Sequence, residues 1–175
     1  MQPQHGLSSI EEEETEKNNP LGFKSIKKFD SDGNFITSWG TEGTGDGQFL
    51  LPEDVTVDSS SGNVFVADFK GNNIQKFDSD GNFITKWGSE GEDQGEFIDP
   101  HGIDFDSSDN VYVVDSGNER IQKFDSDGNF ITKWGIEGTD DGQFWLPHDI
   151  AIDSSDNVYV VDSGNVHEKK EIYAI

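Results

Sequence analysis

Ile74–Gly88 reads IQKFDSDGNFITKWG, and Ile121–Gly135 repeats the same fifteen letters. Ile26–Gly40 reads IKKFDSDGNFITSWG and differs at two places. Trp39, Trp87 and Trp134 therefore recur at intervals of 48 and 47 residues. So faithful a repeat marks a chain built from one supersecondary unit copied in tandem, each copy completing the burial its neighbour cannot achieve alone. The odd residue falls in Asp58-Ser59-Ser60-Ser61-Gly62-Asn63, against Asp106-Ser107-Ser108-Asp109-Asn110 in the next copy. A surface turn absorbs such an insertion, whereas in a strand it would flip every side chain beyond it.

Around the quoted stretch, each full unit contains four short strand segments. In the second unit these are Gly102–Asp106 (GIDFD), Asn110–Asp115 (NVYVVD), Arg120–Asp125 (RIQKFD) and Asn129–Gly135 (NFITKWG). The continuous β-branched and aromatic run of NVYVVD suits a strand covered on both faces. The fourth segment alternates, with Phe130, Thr132 and Trp134 on one face and Ile131 and Lys133 on the other. Ser126-Asp127-Gly128-Asn129 closes a tight hairpin in which glycine supplies a positive φ. No window carries apolar residues at i, i+3, i+4 and i+7 for the length of a helix. One four-stranded sheet this polar cannot stand alone, but several stacked face to face around an axis can. The expected fold is an all-β propeller. A β-sandwich would leave the fidelity of the repeat unexplained.

Composition is consistent with that fold and narrows the partners. At 175 residues the chain has one domain's worth of material, and its low hydrophobic share of 31% is concentrated in regularly spaced blocks, as in a folded chain. Thirty-six acidic residues against twelve basic ones leave a net charge of -24, and Arg120 is the only arginine. Such a field repels phosphate backbones and anionic membranes and favours cations or basic partners, so nucleic acid is not an expected ligand. Acidic turns also keep an all-β protein soluble. Without cysteine there is no disulfide framework and no thiolate site, and no apolar run approaches membrane-spanning length. Residues 1–22, with Glu11 to Glu14 in a row, read as a flexible acidic tail without the basic-then-apolar order of a signal peptide. Nothing in the sequence fixes a compartment, and the cytoplasm is the default expectation.

The repeat resembles the NHL family of β-propellers. The matching text is Pro100-His101-Gly102-Ile103, then Asn110–Asp115, then Asn118–Phe124; it recurs over Pro52–Phe77 and in part over Pro147–Asp162. The resemblance covers about residues 24–165 and implies a propeller, six-bladed in most relatives. It does not imply one function. The family includes ubiquitin-ligase substrate modules, RNA-binding modules, microbial repeat proteins and a peptide-amidating lyase.

By strand count, the chain holds about three four-stranded blade equivalents. A half blade over 24–40 precedes full blades over 52–88 and 100–135, and another half blade covers 148–162. A divergent segment, 166–175, then replaces the expected RIQKF with Val166-His167-Glu168-Lys169-Lys170. Sheets this twisted do not pack around a three-bladed axis, for which four blades is the usual minimum. Two closures fit. A homodimer would make six blades by joining the last two strands of each chain to the first two of the other; alternatively, the chain is a truncated fragment of a longer propeller.

Candidate chemistry gathers where Pro52-Glu53-Asp54-Val55, Pro100-His101-Gly102-Ile103 and Pro147-His148-Asp149-Ile150 lead into the innermost strands. Equivalent residues converge there around the channel, so His101, His148 and Glu53 form a candidate site for zinc or another divalent ion. Duplication alone also accounts for repeated histidines, and no resident cofactor is expected. The resemblance to the amidating lyase implies channel histidines on zinc with tyrosine and arginine nearby. His101 and His148 match by position, but Glu53 stands at the third place and no catalytic tyrosine or arginine can be assigned. Asp30-Ser31-Asp32-Gly33-Asn34 and its copies from Asp78 and Asp125 resemble the opening of a calcium loop, yet a strand follows at once where further ligands belong, so they read as turns. On the linkers, Glu92, Asp93, Asp140 and Asp141 beside Trp145 form an acidic rim with an aromatic spot, suited to a basic peptide. Phe49, Phe97 and Phe144 read as anchors of those linkers. No serine-histidine-aspartate order or glycine-rich phosphate loop stands out. The expected function is a noncatalytic repeat scaffold that binds a protein or peptide at one propeller face. The alternative is a zinc-dependent channel enzyme resembling the peptidyl-hydroxyglycine amidating lyase.

Overall fold

The structure, a computed structural model, describes residues 24–164. The tail read over 1–22 and the divergent segment over 166–175 lie outside the described residues. Strands β1 (Ile26–Phe29) and β2 (Phe35–Trp39) pair as a hairpin, and β3 (Thr41–Glu42) and β4 (Gln48–Phe49) form a short parallel pair. Strands β5 (Pro52–Val57), β6 (Val64–Asp68), β7 (Asn73–Phe77) and β8 (Phe83–Trp87) make a four-stranded antiparallel meander. Strands β9 (Pro100–Phe105), β10 (Val111–Asp115), β11 (Arg120–Phe124) and β12 (Phe130–Trp134) make a second. A last hairpin joins β13 (Pro147–Ile152) to β14 (Val158–Asp162). No helix among the described residues is long and apolar enough to cross a membrane.

The turn between the two outer strands of each unit is closed by its first residue. Asp78 Oδ1 accepts the N–H groups of Asp80 at 2.9 Å and Asn82 at 2.8 Å, while Oδ2 accepts Asn82 Nδ2 at 2.8 Å. Asp30 and Asp125 repeat the pattern. These carboxylates are engaged by N–H donors of their own turns, the Asx arrangement. After the tryptophan, Gly88 takes φ +101°, and a Cβ there would stand 2.6 Å from the Phe97 ring. Glycine is thus required twice over, by backbone angle and by the close approach of the phenylalanine that pins the following linker. The linker phenylalanines were expected to act as anchors; Phe49 and Phe97 are fully buried, and Phe144 packs on the last cluster.

The core lies between sheets. Phe65, Ala67, Ile74 and Phe97 meet Ile103, Val111, Val113 and Phe124 across the two full blades. Phe49, Val64, Val66 and Phe77 meet Ile26 and Trp39 of the first hairpin. Tyr112, Val114, Ile121 and Ile150 meet Val158 and Val160 of the last. Each fully buried phenylalanine contributes about 2–3 kcal/mol by leaving water. Trp39 and Trp87 also reach the next blade: a Cβ on Gly81 would lie 2.6 Å from Trp39, and one on Gly128 2.7 Å from Trp87. Because every layer faces its neighbour, the innermost strands β5, β9 and β13 lie side by side, which brings their first residues together.

Candidate metal centre at the inner strands

The strands β5, β9 and β13 each begin with proline followed by a ligand-bearing residue, at the same register in all three hairpins: Pro52 pairs with Asp68, Pro100 with Asp115 and Pro147 with Asp162. Those three aspartates fix the start of each inner strand. Asp68 Oδ1 accepts Leu51 N–H at 2.7 Å, Asp115 Oδ1 accepts Ile98 N–H at 2.8 Å and Asp162 Oδ1 accepts Trp145 N–H at 2.9 Å. The residue after each proline is thereby delivered to the same end of the molecule.

Glu53, His101 and His148 meet there, with one ligand atom from each lying within 4.8 Å of the others. The His101 ring contacts His148 at 4.3 Å between centroids and Phe69 at 4.6 Å. Its Nδ1 is buried without a hydrogen-bond partner and stands 3.8 Å from Glu53 Oε1. Burial, then the neighbouring His148, holds the His101 imidazole below its usual pKa, with Glu53 and Asp99 opposing. The neutral ring that results presents a lone pair, the form a metal requires. Asp54, Gly102 and Asp149 complete a pocket of ≈ 200 Å³ around the triad. Burial pushes the Asp54 carboxyl up, against the hydrogen bonds it accepts from Ile103 and Val55, while nearby Asp149 and Asp104 add to the rise.

Ligands on a tetrahedral zinc stand about 3.3 Å apart, given bonds of about 2.0–2.1 Å. Side-chain rotation of the exposed Glu53 and His148 would have to shorten separations that extend to 4.8 Å. The donor set of two imidazoles and a carboxylate suits zinc better than calcium, which takes oxygen ligands.

The linker residues lie apart from this pocket. Glu92, Asp93, Asp140 and Asp141 are exposed, and neither they nor Trp145 line it. Trp145 is half-buried, its carbonyl accepts Gly164 N–H at 2.8 Å, and the backbone of Gly164 lies against its ring. Arg120, the only arginine of the sequence, is buried and donates to Asp115 Oδ2 at 2.6 Å and to the carbonyls of Glu92, Asp93 and Glu96. Sequence reasoning missed Phe69, Asp54 and Asp149 as site residues. For Phe69 there was a signal: the other copies carry Ser116 and Ser163 at that place.

A model of the NHL repeat matches residues 49–77, 97–124 and 144–170. The chain is an NHL-repeat protein. No curated protein matches the sequence significantly. Among solved structures, this NHL chain is similar to a streptogramin B lyase at 18% identity and TM-score 0.58, over 79% of this chain and 41% of that one. A catalytically inactive virginiamycin B lyase from Staphylococcus aureus, solved with quinupristin, matches at 18% identity and TM-score 0.57, over 79% and 42%. A functionally unknown protein from Desulfotomaculum acetoxidans matches at 14% and 0.58, again over 79% and 42%. The NHL chain thus spans about two fifths of the length of these structures, and the likeness is one of fold.

Proposed function

We infer that this NHL chain is a noncatalytic repeat scaffold whose ligand docks at the axial mouth of the inner strands, anchored by a divalent ion on Glu53, His101 and His148. The observation that carries this reading is the buried, unpartnered Nδ1 of His101 facing a carboxylate and a second imidazole. A buried polar atom without a partner costs roughly 1–3 kcal/mol, and an ion coordinated there would remove that penalty. Three protein ligands would leave one zinc position for a donor from a peptide or protein. The acidic linkers bearing Glu92, Asp93, Asp140 and Asp141 would favour a basic partner through the surrounding field.

The test is calorimetric titration of the full chain with zinc, alongside metal analysis of protein purified without chelator. One zinc per triad is expected, lost in His101→Ala and His148→Ala while both variants keep their β-sheet spectrum. Absence of bound or titratable metal in the unaltered protein would overturn the anchor. A second reading, a metal-dependent enzyme at the same mouth, draws on that open zinc position and on the lyases that share the fold. Turnover of a peptidyl-hydroxyglycine by zinc-loaded protein, abolished in His148→Ala, would favour it over the scaffold.

A further inference from the structure

The two ends of the arc are complementary halves of one blade. β1 and β2 correspond to β7 and β8, or β11 and β12, the outer half; β13 and β14 correspond to β9 and β10, the inner half. The chain's own complete blades specify how such halves join. β10 pairs with β11 as Val111↔Phe124, Tyr112↔Lys123, Val113↔Gln122 and Val114↔Ile121. Transposed to the ends, Val158 would face Phe29, Tyr159 would face Lys28, Val160 would face Lys27 and Val161 would face Ile26.

Burial changes at these positions as an absent partner requires. Phe29 is 52% exposed although its equivalents Phe77 and Phe124 are 1% and 0%. Tyr159 is 58% exposed against 6% for Tyr112, and Val161 55% against 0% for Val114. β14 carries the same VYVVD letters as β10 and differs only in lacking cover. The wedge contacts are matched in the same way. Trp39 and Trp87 each cover the hairpin glycine of the next blade, Gly81 and Gly128, whereas Gly33 has nothing within 4 Å. Trp134 is the wedge that would reach it. Along the axis, Asp54 Oδ2 accepts Ile103 N–H of the neighbouring inner strand at 2.9 Å. The corresponding pair across the open ends is Asp149 with Val55, itself an exposed apolar residue.

Charge also complements across the ends. Gln122 donates to Glu96 O and to Asp115 Oδ2, but its counterpart in the first half blade is Lys27, which is exposed. The linker it would meet contains Asp140 and Asp141. A cation thus replaces an amide at the one outer half that has no inner half beside it among the described residues.

We propose that a second copy of this chain closes the ring, with β14 of each copy pairing with β1 of the other. Two identical junctions related by a two-fold axis leave no open strand edge. Each junction reproduces a sheet already present twice in the chain, so no new interface geometry is needed. The closed ring would also bring two sets of Glu53, His101 and His148 around one axis. Its formation does not depend on any ion.

The mass of the full chain in solution tests this directly. Light scattering is expected to give about 39 kDa, twice 19.4 kDa. A monomer throughout the micromolar range, or a ladder of larger species, would overturn it. Val161→Asp places a charge on a residue exposed in the single chain and is expected to return the mass to the monomer with an unchanged β-sheet spectrum. Independently, Lys28→Cys combined with Tyr159→Cys puts two thiols at opposite ends of a chain that has no cysteine. Oxidation should yield a covalent dimer reversed by reductant, and failure to cross-link in the dimeric protein would overturn the register.

Discussion

Asp115 accepts hydrogen bonds from Ile98 N–H, Asn118 Nδ2, Arg120 Nε and Gln122 Nε2. Burial pushes its carboxyl up, and those donors, Asn118 first, pull it back. Arg120 in turn ties three linker carbonyls to the sheet. Removing one member of such a buried pair strands the other. Arg120→Ala is expected to lower unfolding stability by about 3–5 kcal/mol in a urea titration, and Arg120→Lys to recover only part, because a point charge cannot reproduce the fork. Other aspartates titrate in the opposite sense. Burial raises Asp58, but hydrogen bonds from Ser61 and Ser60 outweigh it and hold the group at about 2. Asp106 lies lower still, where Lys123 and Asn110 overcome burial. A carboxyl depressed on folding contributes stability that is complete above its unfolded pKa and lost as pH falls through the folded one. Stability should therefore decline between roughly pH 4 and pH 2, opposed in part by Asp54 and Asp115, whose raised values add stability as they protonate. Denaturant midpoints across that range are expected to show a shallower acid limb in Asp106→Asn.

The hairpin is the element in which local chemistry and long-range packing can be separated. Its aspartate, glycine and asparagine were legible in the sequence because an Asx turn is a local interaction. What lies over the glycine was not legible, since the covering tryptophan comes from the preceding unit. Gly128 and Gly33 take nearly the same φ, +87° and +84°, but only Gly128 sits beneath a tryptophan. In a single chain Gly33→Ala should cost only the left-handed backbone penalty of about 1–2 kcal/mol, and Gly128→Ala more. If Trp134 of a second copy covers Gly33, the two variants should converge as protein concentration rises and the ring forms. Thermal unfolding of both at two concentrations measures the difference.

At the scale of the molecule, charge would oppose the proposed pairing of two copies, and packing would have to drive it. A chain carrying -24 brings self-repulsion to any contact with its own copy. Raising ionic strength from about 0.01 M to about 0.15 M shortens the screening length from about 30 Å to about 8 Å. The dimer fraction measured by sedimentation is expected to rise over that interval, and a fall would mean that attraction between charges dominates the junction.

The tandem repeat, read over its full unit, determined the all-β class, the blade as the unit and the NHL resemblance. These depend on period, turn chemistry and strand composition, all properties of contiguous residues. Glu53, His101 and His148 could be marked as equivalent positions from the repeat phase, but only the tertiary structure brought their ligand atoms within 4.8 Å. The approach of three inner strands depends on how whole sheets stack. Identical letters also met different fates: VYVVD is buried in β10 and half exposed in β14. Burial belongs to the neighbour as much as to the residue, and the sequence of one strand does not contain its neighbour.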